Sequence, residues 1–99
     1  MPLYACWCRD VPRSAAARAE HLHAHLAHVE AHLERYAVAG PLKDGEATVG
    51  SLLVIEAESA ADARAFLAAD PYAAVWEHVE VAEFRAVAGK WVGGAAWKK

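Results

Sequence analysis

The amino-acid sequence predicts an α+β domain in which two helices cover one face of an antiparallel sheet. Three observations lead to this prediction. The predicted elements run strand, helix, strand, helix, strand, and a further short strand around Val38–Leu42 or in the C-terminal tail would complete a βαββαβ unit. One predicted strand is apolar on both faces. The chain has 99 residues, a length that suits one domain with a modest core.

The first half of the chain contains a predicted strand and a long predicted helix. Aromatic and small apolar residues predict the strand over Leu3–Arg9. A loop with Ser14 as a plausible N-cap follows, and the helix is expected from Ala15 to about Ala37. We expect Gly40-Pro41 to end this helix, because neither residue is at home in a helix interior.

The second half repeats the strand–helix–strand order. A strand is predicted over Thr48–Ala57, and a second helix over Ala60–Ala69, capped by Ser59. Asp70-Pro71 ends that helix. Alternating residues predict the last long strand over His78–Val87, and residues 89–99 form a tail to a single domain spanning residues 1–99.

The strand over Thr48–Ala57 predicts a homodimer. Its centre, residues 52–55, is apolar on both faces, whereas two helices can cover only one face of the sheet. A second copy is therefore expected to cover the other face. Replacing Leu53 or Ile55 by lysine, whichever faces away from the helices, should break the dimer.

The most distinctive pattern is a histidine stripe on the first helix, made of His21, His25, His28 and His32. Steps of four, three and four place these side chains within an arc of roughly 60°. A leucine stripe (Leu22, Leu26, Val29 and Leu33) lies about 100° further around the helix. We expect the leucine stripe to face the core and the histidine stripe to lie beside it, where the wall of a cleft would be.

Charge and hydropathy exclude several classes of protein. The net charge of −3 argues against a nucleic-acid surface, which needs clustered lysine and arginine. No apolar run approaches the roughly 18 residues of a membrane span, and no signal-peptide pattern is present, so the expected location is the cytoplasm. Cys6 and Cys8 share one face of a strand and are expected to be buried free thiols.

Four stretches of the chain resemble a known family. They are His25–Ala31, Ala39–Leu42, Gly50–Ala57 and Ala69–Tyr72. In this order and spacing they resemble the YciI-like family of small dimeric α+β-barrel proteins. The resemblance implies a ferredoxin-like βαββαβ sandwich, a homodimer, and a pocket with a histidine–aspartate pair.

Carried over by position, the pair is His25 and Asp70, with His21 as the alternative histidine. Asp70 is otherwise explained as a turn residue before proline. Candidates for binding a substrate are Ser51, His21, His28 and Tyr72. Ser51 is equally explained by a close helix contact, and Tyr72 by core packing.

The leading hypothesis is a small cofactor-independent enzyme in which this pair moves a proton on a small molecule of an aromatic or lactone-like class. One alternative is a non-catalytic dimer that binds a small ligand in the same pocket. The other is a metal site on the histidine stripe, although ligands on one straight helix cannot surround a single ion, so no metal is expected. The apolar tail, with Trp91 and Trp97, is expected to pack at the dimer seam or at the pocket mouth.

Overall fold

The computed structural model describes residues 1–98 and shows a four-stranded antiparallel sheet with two helices on one face. The long elements are β1 (Leu3–Asp10), α1 (Ala15–Ala31), β2 (Tyr36–Asp44), β3 (Ala47–Glu56), α2 (Ala60–Ala68) and β4 (Trp76–Phe84). The strand order across the sheet is β2-β3-β1-β4. This arrangement is the predicted βαββαβ sandwich of the ferredoxin-like, dimeric α+β-barrel type.

The first helix is shorter than the sequence predicts, and the strand after it is longer. α1 ends at Ala31, a single 3-10 turn follows over Leu33–Arg35, and β2 begins at Tyr36. The expected helix end near Ala37 was therefore wrong. Gly40 and Pro41 lie within β2 rather than after a helix. Pro41 is tolerated because β2 is an edge strand, where one side of the backbone needs no partner.

The core lies between the sheet and the helices. Its fully buried members include Cys6 and Cys8 of β1, Leu53 and Ile55 of β3, and Val75. Both cysteines are free and share one face, as expected. Leu53 and Ile55 both face the helices. Neither therefore meets the condition of the predicted dimer-breaking lysine, which was to replace the residue that faces away from the helices. Their neighbours in β3, residues 52 and 54, face the other way.

The opposite face of the sheet is not covered by a helix and carries several apolar side chains beside the charged Glu56 and Glu80. Trp7 lies on it, directly paired with Leu52 in the neighbouring strand, and Phe84 lies on it next to Leu3. Trp7 is 47% exposed and Phe84 is 45% exposed. Val54 pairs with Val38 on the same face. Within residues 1–98, Trp7, Phe84 and Val38 remain more than a third exposed, whereas Val54 is buried between its neighbours.

The end of the chain forms a small hairpin outside the sheet. Two-residue strands, β5 (Ala88–Gly89) and β6 (Gly94–Ala95), pair across a 3-10 turn over Lys90–Val92. The sequence left open whether the extra strand would lie around Val38–Leu42 or in the tail, and the strand that joins the main sheet is the former. Within residues 1–98, no helix has the length and apolar character that crossing a membrane requires.

Candidate active site

Asp70 is fixed where α2 gives way to a 3-10 turn over Pro71–Ala74. Its side chain is almost fully buried, and its Oδ1 accepts a hydrogen bond of 2.8 Å from the backbone N–H of Tyr72. Pro71 suits the first position of this turn, because it has no N–H to satisfy there. Asp70 is thus both a turn residue and a buried carboxylate available to a partner.

His25 is that partner. Nδ1 of His25 lies 2.8 Å from Oδ1 of Asp70, although 45 residues separate the two in sequence. The imidazole is 15% exposed and the carboxylate 2%. The second oxygen, Oδ2 of Asp70, is buried and has no hydrogen-bond partner within the described residues. The structure therefore brings together the two residues that the family resemblance singled out.

Tyr72 holds the plane of the His25 ring. The two rings stack with centroids 3.9 Å apart and an angle of 10° between their planes. The same carboxylate that contacts His25 also accepts from the backbone of Tyr72, so the imidazole is fixed at its edge and at its face. The guanidinium carbon of Arg18 lies 4.7 Å from the centre of the Tyr72 ring, within cation–π range.

Arg18 joins a second buried polar network at the end of β1. Its Nη2 donates to Oδ1 of Asp10 at 2.9 Å and to Oγ of Ser51 at 2.8 Å, and its Nε donates to Oδ2 of Asp10. Ser14 also donates to Oδ2 of Asp10, at 2.6 Å. Ser14 occupies the N-cap position of α1, but its hydroxyl binds this carboxylate rather than the helix backbone.

The electrostatics of Arg18 favour a permanent positive charge beside the pocket. Burial by itself lowers the pKa of the guanidinium, but the hydrogen bond and the negative charge of Asp10 outweigh that cost, so the pKa is raised overall. Tyr72 adds a smaller contribution in the same direction. Arg18 thus presents a fixed cation that is already paired on one side.

The residues of both networks meet at one cavity of about 290 Å³. His25, Tyr72, Arg18 and Ser51 supply its polar and aromatic groups. Apolar walls come from α1, β2 and β3; the residues are Leu22, Leu26, Val29, Ala39, Gly40, Pro41 and Leu53. The cavity is therefore mainly apolar, with a few polar groups converging at one side.

The leucine stripe does not face the core, which overturns the expected orientation of α1. No residue of α1 is fully buried, and Leu22 and Leu26 are 46% and 48% exposed. The side of the helix that carries His25 and Arg18 turns towards the sheet instead. The reason is that both side chains have buried carboxylate partners, Asp70 and Asp10, on the sheet side.

Two other candidate histidines lie outside this cavity. His21 is one third exposed, and its Nε2 lies 3.6 Å from a carboxylate oxygen of Glu20. His28 packs against the rings of His32 and Phe66, at centroid distances of 4.6 and 5.4 Å. Neither lines the cavity, so the structure separates both from the proposed binding residues, while Ser51 and Tyr72 do line it.

His28 belongs to a partly buried aromatic group around Phe66. The Tyr36 ring lies 5.6 Å from that of Phe66. Burial lowers the pKa of His28 and raises the pKa of Tyr36 to about 12; the charge of Asp70 acts on both. The buried Nε2 of His28 and hydroxyl of Tyr36 have no partner in the described part of the chain.

No three histidine, cysteine, aspartate or glutamate side chains converge as a metal site would require, in the part of the chain that the structure describes. The histidine stripe divides into separate environments instead. His25 contacts Asp70, His32 contacts the backbone carbonyl of His28 through Nδ1 at 2.8 Å, and His21 lies near Glu20. The geometry gives the metal alternative no support.

Comparison with known proteins identifies the family of this chain. The model of the YCII-related domain matches residues 2–85, which is most of the chain. The chain belongs to the YCII-related domain family. This confirms the resemblance seen in the sequence. A search of the curated proteins found no match to this chain.

Among solved structures, the chain is similar to 5-chloro-2-hydroxyhydroquinone dehydrochlorinase from Burkholderia phenoliruptrix AC1100, determined in complex with 2,5-dihydroxybenzoquinone. The sequence identity is 30% and the TM-score 0.73, over 89% of this chain and 96% of the other. A MhuD variant with two manganese protoporphyrin IX molecules per active site aligns at 21% identity and a TM-score of 0.46, covering 89% and 97%.

In this YCII-related domain, the contacts of Asp10 with Arg18 and Ser14 could not be predicted from the sequence. Asp10 was expected in the loop before Ser14, where a carboxylate is usually exposed. In the structure it is buried at the end of β1. Arg18 offered one usable signal, since it lies seven residues before His25 and therefore on the same face of α1. Its contact with Ser51 depends on strand pairing, which the spacing along one helix does not reveal.

Proposed function

We propose that this chain is a small-molecule acid–base enzyme in which His25 moves a proton and Asp70 holds its ring. The observation that carries the proposal is the 2.8 Å contact between Nδ1 of His25 and Oδ1 of a buried carboxylate, at the wall of an apolar cavity. These two residues lie on different elements, so their contact does not follow from local spacing.

The contact supports a catalytic role for Nε2 rather than Nδ1 of His25. An ionised carboxylate only accepts hydrogen bonds, so the hydrogen lies on Nδ1 of His25 and Nε2 keeps its lone pair. Nε2 makes no hydrogen bond to any other side chain or backbone group in residues 1–98. It is the atom that accepts a proton from the substrate, and Asp70 stabilises the imidazolium that results. Such a step uses only residues of this chain, so the proposal includes no cofactor.

The cavity favours a small, flat, hydroxylated substrate. Its volume of about 290 Å³ is at the lower end of ligand cavities, which span roughly 300–1,000 Å³. The related dehydrochlorinase acts on a chlorinated hydroxyhydroquinone, and we propose a hydroxylated aromatic ring as the substrate class here. Arg18 would attract the negative charge that develops on a ring hydroxyl when His25 removes its proton.

We also propose that the functional unit is a homodimer. The open face of the sheet carries Trp7, Val38 and Phe84, each more than a third exposed, and monomeric proteins rarely expose large apolar patches. Packing two such faces together would close an α+β barrel. In this proposal residues 1–99 form one domain, and residues 89–99 are its C-terminal tail.

Chloride release from 5-chloro-2-hydroxyhydroquinone tests the proposed reaction. Wild-type protein should release chloride, and His25→Gln should lower the rate by roughly 100-fold or more, because a positioned general base contributes about 10²–10⁴. Asp70→Asn should also lower it, since an amide can present its N–H to Nδ1 and favour the wrong tautomer. His21→Gln is the matched control, one helical turn away, and should retain the rate.

Two results would contradict the proposal. Equal losses in His25→Gln and His21→Gln would show that the dyad has no special role. The second result is a wild-type protein that binds 2,5-dihydroxybenzoquinone in a spectroscopic titration but turns over neither 5-chloro-2-hydroxyhydroquinone nor other halogenated hydroquinones. Such a protein would be the non-catalytic ligand-binding alternative.

A further inference from the structure

Half-exposed leucines line one wall of the cavity, and nothing in the described part of the chain covers them. Leu22 and Leu26 form one wall of the cavity and are about half exposed, and Leu33 is 60% exposed at the end of the same stripe. An open leucine rim lets water reach His25. A catalytic imidazole works better when water is excluded, because its interactions with charge are stronger in a dry site.

The C-terminal tail carries the complementary apolar surface. Trp91 is 82% exposed and Trp97 is 69% exposed. The tail is nevertheless folded, because β5 pairs with β6 and the N–H of Ala96 donates to the carbonyl of Val87 at 2.8 Å. A hairpin of two-residue strands is too short to be stable in water by itself. Because Trp91 lies exposed at the tip of this short hairpin, we expect another surface to bind the indole and stabilise the hairpin.

The charges of the two surfaces also match. Residues 85–99 include Arg85, Lys90 and Lys98 and contain no acidic residue. Beside the leucine stripe, α1 and the turn after it carry the exposed carboxylates of Glu30 and Glu34. Basic groups flanking the indoles would lie near acidic groups flanking the leucines, which orients the contact.

Within the described residues the tail does not cover its own leucine stripe, since Trp91 is 82% exposed and Leu26 is 48% exposed, so we consider a second copy as the receiving surface. The tail follows β4 at one edge of the sheet, whereas the cavity lies beside β2 and β3 at the other edge. Three strand spacings of about 4.8 Å separate these edges, or roughly 14 Å. If two open sheet faces stack about a two-fold axis parallel to the strands, β4 of one copy lies over β2 of the other.

We propose that the tail of one copy docks on the leucine stripe of the other, so that each cavity is closed by tryptophan from the partner subunit. This inference rests on the homodimer of the proposed function and adds that each site is incomplete without its partner. The dimer would then have two interfaces, the stacked sheets and the exchanged tails. Only the second would close the cavities.

Disulfide trapping between two differently tagged chains tests the inference. One chain carries Leu26→Cys and the other Trp91→Cys, and the two are co-expressed and treated with a mild oxidant. The native thiols of Cys6 and Cys8 are buried, and burial raises their pKa to about 11 and about 12, so they stay unreactive. We expect a cross-linked pair containing both tags. Ala24→Cys, exposed on the opposite side of α1, is the matched control and should give none.

A single chain carrying both substitutions distinguishes exchange from closure by the chain's own tail. Cross-linking within one chain, which migrates as a monomer without reductant, would overturn the inference. So would a protein that is dimeric by light scattering yet gives no L26C–W91C cross-link, and this result would leave the proposed dimer intact. A wild-type monomer would overturn both this inference and the proposed dimer.

Ligand binding gives an independent readout. Trp91→Ala should weaken binding of 2,5-dihydroxybenzoquinone several-fold without dissociating the dimer, and unchanged affinity would contradict closure of the cavity.

Discussion

Gly50 lies where β3 passes too close to β1 for any side chain. A Cβ atom at this position would overlap the carbonyl oxygen of Cys8 and also press on Leu42. Because the obstacle is backbone in a central strand, it cannot move aside without disturbing the ladder between β1 and β3. The neighbouring residue, Ser51, accepts a hydrogen bond from Arg18, so the close approach at Gly50 also sets the position of one wall of the cavity.

Gly50→Ala should therefore destabilise the protein. We expect the free energy of unfolding to fall by about 1–3 kcal/mol, the usual cost of overpacking a closely packed site. The matched control is Gly40→Ala on the neighbouring strand, where a Cβ would meet nothing within 4 Å. That change should stay within about 0.5 kcal/mol. Urea unfolding followed by circular dichroism measures both, and similar losses for the two variants would contradict the structural explanation.

Among the elements, α1 shows what a periodic pattern can and cannot determine. A helical repeat fixes which residues share a face, so the spacing is enough to put Arg18 on the same face of the helix as His25. It did not determine which face turns inward. That choice depends on Asp10 and Asp70, whose contacts with α1 form only when the whole chain has folded. Hydrophobicity alone favoured the leucine stripe and gave the wrong orientation.

His28, a partly buried residue of α1, predicts that the stability of the protein depends on pH. Burial lowers its pKa in the folded protein from the ordinary value of 6.5; the Asp70 charge opposes this, and nearby His32 and His25 add to it. Above about pH 6.5 His28 is neutral in both states, and its contribution to stability is fully present. As the pH falls through 6.5 towards the folded-state pKa, the unfolded chain takes up the proton first, so stability is lost.

His28→Gln should therefore lose less unfolding free energy than the wild type between about pH 7.5 and pH 5. The control is His23→Gln, an exposed histidine on the same helix, which should follow the wild-type curve. Chemical denaturation at several pH values gives the comparison. If the two variants keep the same pH dependence as the wild type, His28 does not titrate differently in the folded and unfolded chains.

For the whole molecule, element order was enough to predict the architecture but not the full sheet. The order of strands and helices allowed few antiparallel arrangements, and the βαββαβ sandwich is one of them. β2 was only partly foreseen, because Gly40-Pro41 resembles a loop when the neighbouring strand is unknown. The His25–Asp70 pair could be named only through the family resemblance, since 45 residues separate the two and neither is unusual where it stands.

The dimer itself can be tested on the open face of the sheet. Trp7 is 47% exposed, so a lysine there can reach water in a single chain and should cost the isolated domain little. In a dimer built by stacking two open faces, the same lysine would be buried without a partner, which costs several kcal/mol.

Wild-type protein at micromolar concentration should be a dimer by light scattering, and Trp7→Lys should shift it to a monomer. Val49→Lys replaces a similarly exposed apolar residue at the end of the sheet, beside the start of α1, and it should leave the dimer unchanged. A Trp7→Lys variant that remains as dimeric as the wild type would place the interface elsewhere on the molecule.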